Sequence, residues 1–252
     1  MNFYIVSLLD ALAEQNMSIF CKLNFVKSAA LFSDLHVISK HFKVVTDFYF
    51  SFLKKLDFIP QSALTNDHLG NYCFTEPNDY EQPIHEVLRN LNHTKIVFKD
   101  VFPVQARYTD LHNMHLVVGL CRAESLKRGF LHIVDLSLSK GEIKNTPPDV
   151  VYVKDILKSY VPHHFQTLKE FIEAKGFNYN HFQRDCKICF GDSFYSFWLK
   201  GKMVDAVGDI VFTPMSLKQV AFKNKFLDYQ NMYKAFTRHD VALTTIPRLA
   251  NL

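Results

Sequence analysis

Two residues in the stretch 95–135 are of the types that acid–base chemistry uses. His115 opens the run His-Leu-Val-Val-Gly-Leu, and Asp135 closes the run Phe-Leu-His-Ile-Val-Asp. Each run is short, β-branched and flanked by turn residues, which is a strand signal. The polar segment 122–129 between them ends in glycine and suits a hairpin-like reversal. Two antiparallel neighbours would then set an imidazole beside a carboxylate. Such a partner fixes the ring's tautomer and stabilises its protonated form, as a general base requires. The competing reading of His115 is a structural histidine at the start of a strand.

The other chemistry-bearing residues are weaker signals. Cys21 sits among apolar neighbours in Ser-Ile-Phe-Cys-Lys-Leu, where a thiol serves as a small core residue or as a nucleophile. Cys73 falls in a loop-like segment, and Cys121 follows the strand of His115. Cys186-Lys-Ile-Cys189, with His181 just upstream, has the look of a zinc or redox pair. A structural zinc site needs a second ligand pair at comparable spacing, and only His239 follows, so no metal is expected. His163-His164 after Pro162 reads as the polar first turn of a helix. Neither G-x-x-x-x-G-K nor G-x-G-x-x-G occurs, which argues against nucleotide hydrolysis and dinucleotide redox chemistry.

Composition bounds the remaining possibilities. The 252 residues are 48% apolar and 21% charged, so the chain can bury a sizeable core and is not of the disordered class. With 24 phenylalanines, aromatic packing is expected. A formal charge of +4 is too mild and too dispersed for a nucleic-acid partner. Five cysteines without framework spacing suit reduced thiols in the cytoplasm. The first fifteen residues are apolar but carry Asp10 and Glu14 and lack a basic leader, so no membrane partner is expected.

The elements that would position His115 and Asp135 follow from periodicity. Residues 2–14 have the spacing of a mostly buried helix, with Asn16 as its end. Residues 18–25 read as a short strand or the entry to a further helix over 26–38. Residues 41–50 are a strand or the start of a helix reaching 55. The segment 57–80, with Pro60, Asn66, Gly70 and Pro77, reads mostly as loop. A helix is expected at 81–91, a short strand at 150–153, and a helix at 163–175 stopped by Gly176. The aromatic C-terminal region reads as irregular until one amphipathic helix at 216–236, which bears Lys218, Lys223, Lys225 and Lys234. A soft boundary near Gly176 separates 1–175 from 176–252.

A helix, a strand ending near an acid at 96–100, a loop, then His112-Asn-Met-His115-Leu-Val-Val-Gly and a strand ending in Asp135 resembles the second half of a papain-like domain. The pattern, over about residues 81–157, is similar to bacteriocin-processing cysteine peptidases. It is closer to acyltransferases of the butirosin biosynthesis protein H type, which act in natural-product and siderophore pathways. The resemblance implies an α+β, papain-like cysteine-peptidase fold with an antiparallel sheet, carrying a helical, aromatic-rich C-terminal extension. His115 would be the general base and Asp135 its orienting acid, with Asp100, His112 and Tyr108 lining the substrate cleft. The family's nucleophilic cysteine opens an early helix, where the helix N-terminus lowers the thiol pKa. Here Asn2 stands before that helix. Either Cys21 serves from elsewhere, or no thiol takes part and an amine attacks a carrier-bound thioester directly. The implied activity is amide-forming acyl transfer without a cofactor, with an acyl carrier protein and a small amine as partners. The lysine-bearing C-terminal helix would then be a dock for the acidic carrier. The alternatives are a papain-like binding protein without activity and a cysteine peptidase of the same fold.

Overall fold

The computed structural model describes residues 1, 3–27, 35–73, 101–123, 128–161 and 167–249. Two helices, α1 (Phe3–Lys27) and α2 (Leu35–Lys55), come first. The strands β1 (Leu64–Cys73), β2 (Val101–Thr109), β3 (Asn113–Ala123) and β4 (Arg128–Ser139) follow. Six helices complete the described chain: α3 (Tyr152–Ser159), α4 (Leu168–Ala174), α5 (Tyr179–Phe190), α6 (Phe194–Phe212), α7 (Leu217–Lys223) and α8 (Tyr229–Thr237). The sheet is antiparallel throughout its described pairs, in the order β1-β4-β3-β2. Helices segregated from an antiparallel sheet make this an α+β molecule, as expected.

Alternation along the strands divides the sheet into two faces. Met114, Leu116 and Leu120 of β3, with Val134, Leu136 and Leu138 of β4, turn toward the helices. They join Ile5 and Leu9 of α1, Phe42 and Phe52 of α2, and Met203 and Ile210 of α6 in one core cluster. The opposite face carries His115, Val117, Gly119 and Cys121 of β3 beside Leu131, Ile133 and Asp135 of β4. These residues are buried too, but outside that cluster. The strand register therefore decides which face receives the histidine and the aspartate. A slip of one residue would turn both toward the helices.

Several elements depart from the sequence expectation for identifiable reasons. α1 runs past Asn16 to Lys27, because Asn16 meets the Tyr49 hydroxyl, which donates to its Oδ1 at 3.3 Å, instead of ending the helix. Cys21 is thus helical rather than in a strand. The run 41–50 lies wholly within α2, which reaches Lys55 as the helical reading of it expected, whereas the segment expected as loop contains the ten-residue strand β1. Residues 150–153 do not form a strand. Pro148 sits in the first turn of a 3-10 segment, Pro148–Val150, that leads into α3. The C-terminal region is regular from Tyr179 onward, and the single amphipathic helix expected at 216–236 is two helices. The expected helix at 81–91, the strand at 96–100 and the His163-His164 pair lie outside the described residues. Core residues come from both sides of Gly176, whose φ of +81° ends α4 as expected. No helix among the described residues is long and apolar enough to cross a membrane.

Candidate functional site

β3 and β4 pair so that His115 stands opposite Ser137 and Val117 opposite Asp135. His115 and Asp135 are therefore diagonal neighbours on one face, within side-chain reach. Nδ1 of His115 lies 3.0 Å from both Oδ1 and Oδ2 of Asp135. Asp135 is fully buried and His115 only 8% exposed. On the other flank, β2 sets Tyr108 directly across from His115, and the two rings stack with centroids 4.5 Å apart and planes 2° from parallel.

The second ring nitrogen is engaged as well. Nε2 of His115 lies 3.0 Å from Oδ2 of Asp110, a carboxylate in the turn joining β2 to β3. Oδ1 of Asp110 accepts the backbone N–H groups of His112 at 2.7 Å and Asn113 at 2.6 Å. The Lys140 ammonium donates to the Asp110 carbonyl oxygen. Asp110 closes the hairpin and holds the imidazole with opposite ends of one carboxylate. Local Asx-turn chemistry explains its position, and the Asp110-Leu-His-Asn run was the available signal for it in the sequence.

The two carboxylates live in different surroundings. The Asn113 N–H, the His115 hydrogen bond and the His112 N–H hold the Asp110 carboxyl well below its usual range. Burial pushes the Asp135 carboxyl up. The hydrogen bond from His115 opposes that push, as do the nearby charges of His115 and of His68 on β1. Chemically, the arrangement is a proton-holding chain. It runs from Asp135 at the buried end, through an oriented imidazole, to an ionised carboxylate at the surface.

Of the residues expected to form the site, the structure brings together His115, Asp135 and Tyr108. His112 is exposed and joins through its backbone, its N–H on Asp110 and its carbonyl accepting from the N–H of Lys140 at 2.9 Å. Asp100 lies outside the described residues. Cys21 sits eighteen residues beyond Phe3 in α1, about 27 Å along the helix from its first turn. That first turn is tied to the His115 end of the sheet. The Lys144 N–H donates to the Met1 carbonyl at 3.0 Å, and the Met1 ammonium donates to the Glu142 carbonyl at 3.0 Å. The long helix thus gives no support to Cys21 as the partner of His115. Cys121, on the same face, is fully buried and its thiol is pushed up to about 12 by that burial. Cys186 and Cys189 are buried free thiols. Burial raises both, and no group of three metal-ligating side chains occurs among the described residues.

A second histidine–aspartate pair, unanticipated from sequence, lies on the helix-facing side. His132 Nε2 meets Oδ1 of Asp67 at 2.7 Å, with the edge-on ring of Phe42 at 4.8 Å. An apolar cavity of about 90 Å³ lies on that side also, between α1, α2 and the sheet. It is separate from the His115 site. No protein-family model matches this chain, and neither the curated proteins nor the solved structures give a match.

Proposed function

We propose that the chain is an amide-forming acyltransferase, moving an acyl group from a carrier-protein thioester to an amine in natural-product or siderophore assembly. The observation that carries this reading is the pair of 3.0 Å contacts from His115 Nδ1 to the buried Asp135 carboxylate. The start of α1 lies at the same end of the sheet, as a papain-like arrangement requires, and this adds support. A cytoplasmic location and an acyl carrier protein as partner belong to the same proposal.

In this reading the ionised Asp110 at the rim receives the substrate's ammonium group in place of the Nε2–H of His115, which gives its proton to solvent. Nε2 then removes a proton from the amine. The amine nitrogen attacks the thioester carbonyl carbon, the C–N bond forms and the C–S bond breaks. The proton held on Nε2 passes to the leaving thiolate, Nε2 then takes the second proton from the new amide nitrogen, and Asp135 stabilises the imidazolium each time it forms. No cysteine is needed. Replacing His115 with alanine should lower amide formation from a carrier-bound thioester by at least about 100-fold, the usual size of general-base catalysis. An unchanged rate in a folded variant would reject the role.

A second reading, a papain-like binding protein without catalysis, is favoured by the closure of Nε2 against Asp110 and by the stacked Tyr108 ring. The Asp110→Asn variant separates the two. An amine-binding role raises KM for the amine with little change in kcat, whereas a purely structural role changes stability alone. A cysteine peptidase would need a reactive thiol beside His115, and none stands there among the described residues.

A further inference from the structure

The corner where α7 turns into α8 presents large apolar side chains to solvent. Phe222 and Leu227 are each 84% exposed, and Tyr233 is 49% exposed. The first two, with Lys218, Asp228, Tyr229 and Gln230, line one open groove. The backbone explains how both come to point outward. α7 ends in a Schellman motif in which the Lys225 N–H donates to the Phe222 carbonyl and the Phe226 N–H to the Ala221 carbonyl. Lys225 takes the left-handed conformation, φ 56°, which buries Phe226 and leaves Leu227 outside.

The charge along this stretch of sequence is one-sided. Residues 216–238 hold Lys218, Lys223, Lys225, Lys234 and Arg238 against the single acid Asp228. Asp228 is occupied in capping α8, accepting from the Asn231 N–H at 2.7 Å. Lys223 pairs with Asp209 at 2.6 Å, while Lys218, Lys225 and Lys234 are in no ion pair among the described residues. We propose that this corner docks onto an anionic lipid bilayer. Phe222 and Leu227 would enter the boundary between headgroups and acyl chains, and the unpaired lysines would lie among the phosphates.

The chemistry favours a lipid surface over a protein. Protein interfaces are depleted in lysine and gather their apolar residues in a packed centre. Here exposed apolar tips stand on a segment that carries Lys218, Lys225 and Lys234, with Tyr229 and Tyr233 alongside, which is the composition of an interfacial anchor. The contact is peripheral, and it gives the lysine-bearing segment 216–236 to a bilayer in place of the acidic carrier expected there. It departs from the sequence-based expectation that no membrane partner exists.

Flotation of the full-length chain with phosphatidylcholine vesicles, with and without about 30% phosphatidylglycerol, tests the proposal. Binding is expected only to the anionic vesicles and should weaken as salt rises from about 0.1 to 0.5 M. Phe222→Ala and Leu227→Ala should each weaken it by about tenfold. Lys225→Gly should weaken binding while raising Tm, since glycine accepts the left-handed φ, a combination that a merely structural role does not produce. Absence of binding to anionic vesicles, binding untouched by the paired Phe222→Ala and Leu227→Ala changes, or a solution dimer that those changes abolish would overturn the proposal.

Discussion

Asp110 and Asp135 face opposite nitrogens of one imidazole, and their shifts run in opposite directions. This makes the pH dependence of stability a residue-level readout of the site. Burial raises the Asp135 carboxyl, so its folded state binds the proton more tightly than its unfolded state. Stability from this group is present below the unfolded value of about 3.9 and is lost as pH rises through the higher folded value. Asn resembles the protonated acid, so the stability of Asp135→Asn relative to the parent should improve as pH rises above about 4. Asp110 is lowered, chiefly by the Asn113 N–H. Its contribution is present above the unfolded value and is lost as pH falls toward the folded one. Asp110→Asn should therefore show the reverse trend, its relative stability worsening as pH rises through the carboxylate range. Urea midpoints measured across pH on both variants check this, and equal slopes would contradict the assignment of the two environments.

At the scale of elements, legibility tracked burial pattern. β3 and β4 announced themselves as β-branched runs, and their antiparallel pairing was legible because a glycine-ended polar turn joins them. β1 was hidden because an edge strand with a partly exposed sequence, Leu-Thr-Asn-Asp-His-Leu-Gly-Asn, carries little apolar alternation. α6 was hidden for the contrary reason. With Phe197, Met203, Val207 and Ile210 all buried, it is apolar around most of its circumference, and a one-sided stripe never forms. The split between α7 and α8 was masked because Lys225 occupies a left-handed position that glycine more often marks. Asp57 and Asp240 do the same at φ 57° and 55°. Asp240→Gly should accordingly stabilise the protein by about 0.5–1 kcal/mol, since the backbone carbonyl that accepts from Lys55 is kept. Gly119 makes the opposite case. A Cβ there would lie 2.4 Å from the His132 carbonyl oxygen and 2.9 Å from the Ile133 Cα, both backbone atoms of the neighbouring strand. Gly119→Ala should cost about 3 kcal/mol and shift the strand that carries Asp135, lowering Tm and activity together.

At the scale of the whole molecule, the question is whether the C-terminal helices are an appendage to the sheet or part of its core. Phe52 of α2 stacks on Phe236 of α8 with centroids 6.1 Å apart and planes 7° from parallel. Tyr4 of α1 meets Phe190 of α5 at 5.6 Å and Phe197 of α6 at 6.3 Å. Lys55 of α2 donates to the Asp240 carbonyl at 2.6 Å. The helices that back the sheet are thus themselves backed by α5, α6 and α8, and losing that layer would expose Phe52 and the apolar face of α1. Phe236 is fully buried, so Phe236→Ala should cost about 3–5 kcal/mol through lost burial and the cavity left behind. Because the cavity opens against α2, the loss should lower one shared transition rather than release the C-terminal helices alone. Near-ultraviolet and far-ultraviolet circular dichroism should coincide with each other in each protein, at a lower midpoint in the variant than in the parent. Two separated transitions, with only the helical signal shifted by Phe236→Ala, would show instead that the layers fold independently. In that case the His115 site would keep its geometry without the C-terminal helices.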